Sequence, residues 1–140
     1  MGCIICKLIS EEIEVTKVYE DDVVVAVMDI QPINPGHLFI APKRHIESIS
    51  ELDEEVGSHV FKTATRMTNA LRRSGLKCDG VNLLLADGGS AGQEIPHIHL
   101  HVIPRIRMDG SGFKFRKGSI RPPDRKELER IAGLLRRAFG

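Results

Sequence analysis

Three histidines, His97, His99 and His101, occupy alternate positions in PHIHLHVIP, residues 96–104, and make up half of the six in the chain. Imidazole is nucleophilic when neutral, changes charge near neutral pH and is the commonest metal ligand, so the cluster admits catalysis, metal binding or plain burial. In an extended segment, alternation puts the three on one face and Ile98, Leu100 and Val102 on the other. The apolar face is expected to pack on the core, which aims the histidine face at something other than hydrophobic packing. On a straight strand the outer two stand roughly 13 Å apart, too far to share one ion, so at most two neighbours converge on a metal. Neighbours roughly 6.5 Å apart can surround a ligand the size of a phosphate.

Two further stretches carry chemistry. CIIC places Cys3 and Cys6 in a Cys-x-x-Cys spacing, which suits zinc, redox chemistry or two unremarkable thiols. No strand-then-helix context of a thioredoxin-like redox motif surrounds it, and with no second such pair a zinc ion would need two histidines. ADGGSAGQEIP precedes the histidines, and its Gly88, Gly89 and Gly92 let backbone amides approach a phosphate closely.

The elements that must position these residues follow from pattern. KVYEDDVVVAVMDI reads as a hairpin of β-branched runs broken at Glu20, Asp21 and Asp22, and HLFIAP as a further strand after the loop QPINPGH. SISELDEEVGSHVFKTATRMTNALRRSG reads as a long helix capped at Ser50 and ended by Gly75, with Leu52, Val56, Val60, Ala64, Met67 and Leu71 as its buried stripe. GVNLLL is a strand entering the glycine loop, and the histidines lie on the strand that follows. MDGSGFKFRKGS is flexible by composition, and PPDRKELERIAGLLRRAF is a terminal helix with Pro at its start. Strands that flank one long helix without βαβ alternation predict an α+β fold with a mostly antiparallel sheet, one long helix and a C-terminal helix. At 140 residues the chain is expected to be a single domain over 1–140, long enough to bury a core.

Composition excludes some function classes. No apolar run reaches the roughly 18 residues of a membrane span, and no signal-peptide pattern opens the chain, so a cytoplasmic protein is expected. Three cysteines argue against a disulfide framework. From Arg105 onward eleven Lys/Arg face four Asp/Glu, while the preceding part is acidic, so a net charge of +1 hides a basic tail. Few aromatics accompany that tail, which leaves nucleic-acid binding poorly supported.

HIHLHVI resembles the His-φ-His-φ-His-φ-φ signature (φ apolar) of the histidine triad superfamily of nucleotide hydrolases and transferases. KVYEDDVVVAVMDIQPINPGHLFIAPKRHI is similar to that family's N-terminal half, and AGQEIPH to its glycine loop. The resemblance covers Cys3 through Arg105, leaving 106–140 as a basic loop and C-terminal helix outside the shared core. It implies attack by His99 on the α-phosphate of a nucleoside phosphoramidate or dinucleoside polyphosphate. The resulting nucleotidyl-histidine is hydrolysed to a nucleoside monophosphate, with AMP the expected product. It also implies that the backbone carbonyl of His97 orients His99, that His101 donates to a phosphoryl oxygen, and that His37 orients the triad. Asp29 is implied at the ribose, Ile30 at the base, and Gly92 and Gln93 at the phosphate. Some microbial members bind a structural zinc at positions that match Cys3, Cys6, His45 and His97. A homodimer that takes a purine nucleotide is implied as well.

Two positions depart from the pattern. Ala86 stands where many relatives have asparagine, and Glu94 where several have Ser or Thr near the leaving-group oxygen. A carboxylate there repels phosphate unless it turns away or is protonated. Both departures leave the nucleophile intact and bear on substrate choice. The competing classes are a nucleotide-binding protein without turnover, and a zinc-binding structural module that leaves His37 and the glycine loop idle.

Overall fold

The computed structural model describes residues 2–109 and 121–140. Its elements run in the order α1 (Ile4–Ile9), β1 (Lys17–Glu20), β2 (Val24–Met28), β3 (Leu38–Pro42), a 3₁₀ turn (Ile49–Glu51), α2 (Glu54–Arg73), β4 (Gly80–Leu85), a second 3₁₀ turn (Gly89–Ala91), β5 (Leu100–Arg105) and α3 (Arg125–Phe139). The five strands form one sheet in the order β1-β2-β3-β5-β4, and every neighbouring pair is antiparallel. This is the α+β architecture expected from the pattern. No helix among the described residues is long and apolar enough to cross a membrane.

Strand alternation divides the central strands between two apolar layers. Val24, Ala26 and Met28 of β2, Leu38 and Ile40 of β3, and Leu100 and Val102 of β5 pack against Val60, Ala64, Met67 and Leu71 of α2 and Leu128, Ile131 and Leu135 of α3. Val25, Val27, Phe39 and Ala41 point the other way and meet Ile5 and Leu8 of α1. Both faces of β2 and β3 are therefore covered, which explains their continuous runs of apolar residues. His101, registered opposite Phe39 on β3 and Leu84 on β4, falls on the α1 side of the sheet.

The helix boundaries differ in detail from the expected ones. Asp53, not Ser50, caps α2, because its carboxylate accepts the Val56 N–H at 3.0 Å. Extended backbone at Leu52 separates α2 from the short turn that Ser48 caps. The buried stripe of α2 gains Thr63 and Ala70, while Leu52 and Val56 are only partly covered. Gly75 follows the helix at φ 92°, the left-handed conformation expected of its terminator. Asp124, rather than a proline, caps α3 by accepting the Glu127 N–H at 2.8 Å. The expected flexible segment falls largely on residues 110–120, outside the described residues.

Candidate active site and metal centre

The histidine row is not a straight strand. β5 begins at Leu100, so His97 and His99 lie in the segment leading into it and are free of the strict pleat. His97 is fully buried and turned away, whereas the rings of His99 and His101 stand side by side with centroids 4.9 Å apart. Phe39 packs edge-on against both rings.

Two backbone groups and one ring-to-ring hydrogen bond set the tautomers of His99, His37 and His101. Nδ1 of His99 lies 2.8 Å from the carbonyl oxygen of His97, and a carbonyl only accepts, so the His99 proton sits on Nδ1 and Nε2 keeps its lone pair. The backbone amide of Ile33 donates to Nδ1 of His37 at 3.0 Å, so neutral His37 carries its proton on Nε2. That Nε2 donates across 2.9 Å to Nδ1 of His101, which leaves the His101 proton on its own Nε2. The arrangement sets an imidazole lone pair next to an imidazole N–H.

The carboxylate of Asp29 is almost buried behind this pair. One oxygen accepts the Gln31 N–H at 2.8 Å, and the other stands 3.5 Å from His37 Nε2 and 3.7 Å from His101 Nδ1. Asp29, His37 and His101 bring their donor atoms within 4.8 Å of one another. They nonetheless do not suit a metal. With the Ile33 amide on Nδ1, the only His37 atom that faces the cluster is protonated, and a neutral imidazole ligand needs a lone pair there.

The second cluster has the opposite chemistry. Cys3 and Cys6 from the start of α1, His45 and His97 bring four donor atoms within 4.8 Å. Nε2 of His97 donates to the Pro42 carbonyl at 2.8 Å, which turns an unprotonated Nδ1 toward Cys3 Sγ at 3.3 Å and Cys6 Sγ at 3.6 Å. Nδ1 of His45 lies 3.5 Å from Cys6 Sγ, while its Nε2 faces the Glu47 carboxylate at 3.5 Å. A carboxylate behind a ligating histidine is a recurrent outer-shell partner. Burial pushes the His97 imidazole down and so favours the neutral form a metal needs. Burial, and then the neighbouring Cys3 thiol, push the Cys6 thiol up, a cost that a divalent cation removes. Tetrahedral zinc places its Cys and His ligand atoms about 3.5 Å apart, close to the spacings found.

His99 and His101 sit where two clefts meet. One, about 310 Å³, runs from them past Asp29, Ile30 and Phe39 toward Ile4, Leu8 and Ile13. The other is bounded by Leu84, Ala86, Ala91, Gly92 and Gln93 of the glycine loop. Glu94 and Ile95 line both. Gly88 and Gly92 take φ 99° and 92°, conformations glycine adopts without strain. The Gln93 side chain braces this loop, since its Oε1 accepts the Gly88 N–H at 2.7 Å and its Nε2 donates to the Glu47 and Ile95 carbonyls.

Other residues were not visible as site residues in the chain. The Ile33 amide and the Pro42 carbonyl act through the backbone, which leaves no mark on residue type. Phe39 reads as an ordinary strand residue, and Arg125 as one charge in a basic helix. His59 on α2 pairs its Nε2 with the Asp21 carboxylate at 2.7 Å. Cys78 is partly buried and packs against the core.

Comparison with known proteins extends this picture. The family model described as the HIT domain matches residues 10–108. An uncharacterized HIT-like protein of Borreliella burgdorferi is 45% identical over 113 residues, 80% of this chain and 81% of that protein. Adenylylsulfatase HINT3 of Arabidopsis thaliana is 36% identical over 107 residues, 76% of this chain and 54% of that protein. A zinc-bound histidine triad family protein from Mycobacterium smegmatis has a similar structure, with a TM-score of 0.85 and 34% identity over 99% of this chain and 94% of that one. On the match of its central 10–108 and the likeness of its whole fold, this chain belongs to the HIT domain family, the histidine triad proteins.

Proposed function

We propose that the chain is a nucleotide hydrolase and nucleotidyl transferase that works through a covalent intermediate on His99. The observation that carries this reading is the adjacent pair of oriented rings, a lone pair on His99 Nε2 beside a proton on His101 Nε2. His99 Nε2 attacks the α-phosphorus, the bond from phosphorus to the leaving group breaks, and the leaving group departs with the electron pair and takes up a proton. His101 donates its Nε2–H to a phosphoryl oxygen and stabilises the charge there. Water then attacks the nucleotidyl-histidine and returns the imidazole, releasing a nucleoside monophosphate. Asp29 and Ile30 serve the nucleoside in the first cleft, and Gly92 and the loop held by Gln93 serve the phosphate. The adenylylsulfatase relative acts on a nucleotide, in keeping with this assignment.

Between the two substrate classes, Glu94 favours phosphoramidates. It lines both clefts at their junction, and a carboxylate there repels the polyanionic leaving group of a dinucleoside polyphosphate more than it repels an amine. The test is release of AMP from an adenosine phosphoramidate by the wild type and His99→Ala. Wild-type release with none from the variant is expected. Wild-type protein that binds AMP yet releases none from the substrate favours the reading as a binding protein without turnover.

Cys3, Cys6, His45 and His97 are assigned to a structural zinc, because the four donors form a closed set with no coordination position left for substrate. Bound zinc supplies only a fixed point there, tying the start of α1 to the segment that carries His97. The whole of 1–140 acts as one domain in this reading, as a homodimer of a reducing, cytoplasmic compartment. The outer edge of β4 ends the sheet and exposes Leu83, which suits pairing with a second copy.

A further inference from the structure

The first cleft draws on both flanks of the segment that the family model matches, with Ile4 and Leu8 ahead of it and Arg125 beyond it. Arg125, the first residue of α3, reaches across to the chain ahead of β1 and lines the same cleft as His99 and His101. Its Nη1 donates to Thr16 Oγ1 at 3.0 Å, and its Nε lies 3.5 Å from the Glu14 carboxylate. The buried Thr16 holds the guanidinium from one side, while Nη2 makes no hydrogen bond among the described residues.

The remaining walls of the cleft discriminate poorly. Ile4, Leu8, Ile13 and Phe39 offer flat apolar contact that any base accepts, and Asp29 is engaged at the histidine end with Gln31, His37 and His101. Gln31 and Glu94 also line the cleft, but the Gln31 amide offers donor and acceptor alike and Glu94 stands at the junction with the second cleft. The groups of fixed polarity left to read a base edge are Arg125 and the Glu14 beside it. A guanidinium only donates, in a planar fork, whereas the carboxylate only accepts. Guanine presents N7 and O6 as adjacent acceptors with the N1–H donor next along the same edge. Adenine puts an amino donor where O6 stands and an acceptor at N1, so the same alignment opposes donor to donor and acceptor to acceptor.

We propose that Arg125, assisted by Glu14, selects guanine nucleotides at this site. The proposal rests on the first cleft being the nucleoside site and adds the base it prefers. Arg125 is a specificity residue: it contacts the base and leaves the phosphorus chemistry to His99 and His101. Because the guanidinium is one-third exposed, discrimination is expected near the lower end of what a bidentate contact provides, about tenfold.

The experiment compares guanosine and adenosine phosphoramidates carrying the same amine, with wild type, Arg125→Gln and Arg125→Lys. Binding of GMP and AMP is measured alongside by calorimetry, and melting curves check that the variants fold. Wild type is expected to show a KM about tenfold lower for the guanosine substrate at similar kcat. Arg125→Gln should raise the guanosine KM to the adenosine value without changing kcat, and Arg125→Lys should fall between, since a single ammonium cannot span N7 and O6. Equal use of the two bases by wild type, or a variant that raises both KM values alike, overturns the proposal while the nucleotide hydrolase reading stands. Wild type that neither binds nor cleaves either nucleotide overturns both.

Discussion

The carbonyl oxygen of His97 accepts from Nδ1 of His99 at 2.8 Å, while the ring of the same His97 faces Cys3 and Cys6. One residue thus joins the two clusters, through its backbone to the proposed nucleophile and through its side chain to the candidate metal centre. Disturbing the cysteines is therefore expected to reach His99, although no cysteine among the described residues lines either cleft there.

Cys6→Ser should lower bound zinc from about one ion per chain to well under one, measured by metal analysis of the purified protein. It should also lower the melting temperature, because loss of the metal frees the start of α1. Purified wild type without stoichiometric zinc would count against the metal assignment whatever the variant does.

His37→Ala should reduce turnover about 10- to 100-fold, the usual effect of removing an orienting partner behind a functional group. The variant leaves the Ile33 amide and His101 Nδ1 without the ring that joins them. His37→Gln offers an acceptor and a donor in one side chain and should recover part of the loss. The check is the rate against pH: loss of the fixed tautomer shifts the profile, whereas a purely structural lesion lowers it uniformly.

Glu94→Ser should raise kcat/KM for a dinucleoside polyphosphate relative to a phosphoramidate by about tenfold, through removal of one negative charge at the junction of the clefts. An unchanged ratio would show that the carboxylate does not face the leaving group.

Gly36→Ala should destabilise the protein by about 1–2 kcal/mol and impair turnover together. Gly36 adopts φ 100°, and an added Cβ would lie 3.1 Å from methyl carbons of Leu71 and Leu76. The loop it shapes carries His37 as the next residue, so relief of the strain displaces the ring that orients His101. Denaturant unfolding and the phosphoramidate assay measure the two effects.

Asp109→Asn should cost about 2 kcal/mol near neutral pH, in denaturant unfolding followed as a function of pH. Arg105 first, then the Ile106 amide and Asn34, hold this carboxyl down to about 2. A depressed folded value stabilises the protein above the ordinary carboxylate range and loses that contribution as pH falls from about 4 toward 2. Wild type and variant should therefore converge at the acid end.

Much of this molecule was determined by local sequence. The hairpin around Glu20 to Asp22, the strand after QPINPGH, the long helix and the terminal helix follow from period, β-branching and turn residues, which act over a few positions. The alternation in PHIHLHVIP likewise separated the histidines from Leu100 and Val102, which join the core. Tertiary structure decided how the histidines are oriented. A tautomer depends on which group meets a ring nitrogen, and His97 meets the Pro42 carbonyl across 55 positions while His101 meets His37 across 64. It also decided that Arg125 lines the cleft beside His99 and His101: a contact across 109 positions leaves no periodic trace, and only the packing of α3 on the sheet brings its guanidinium to Thr16.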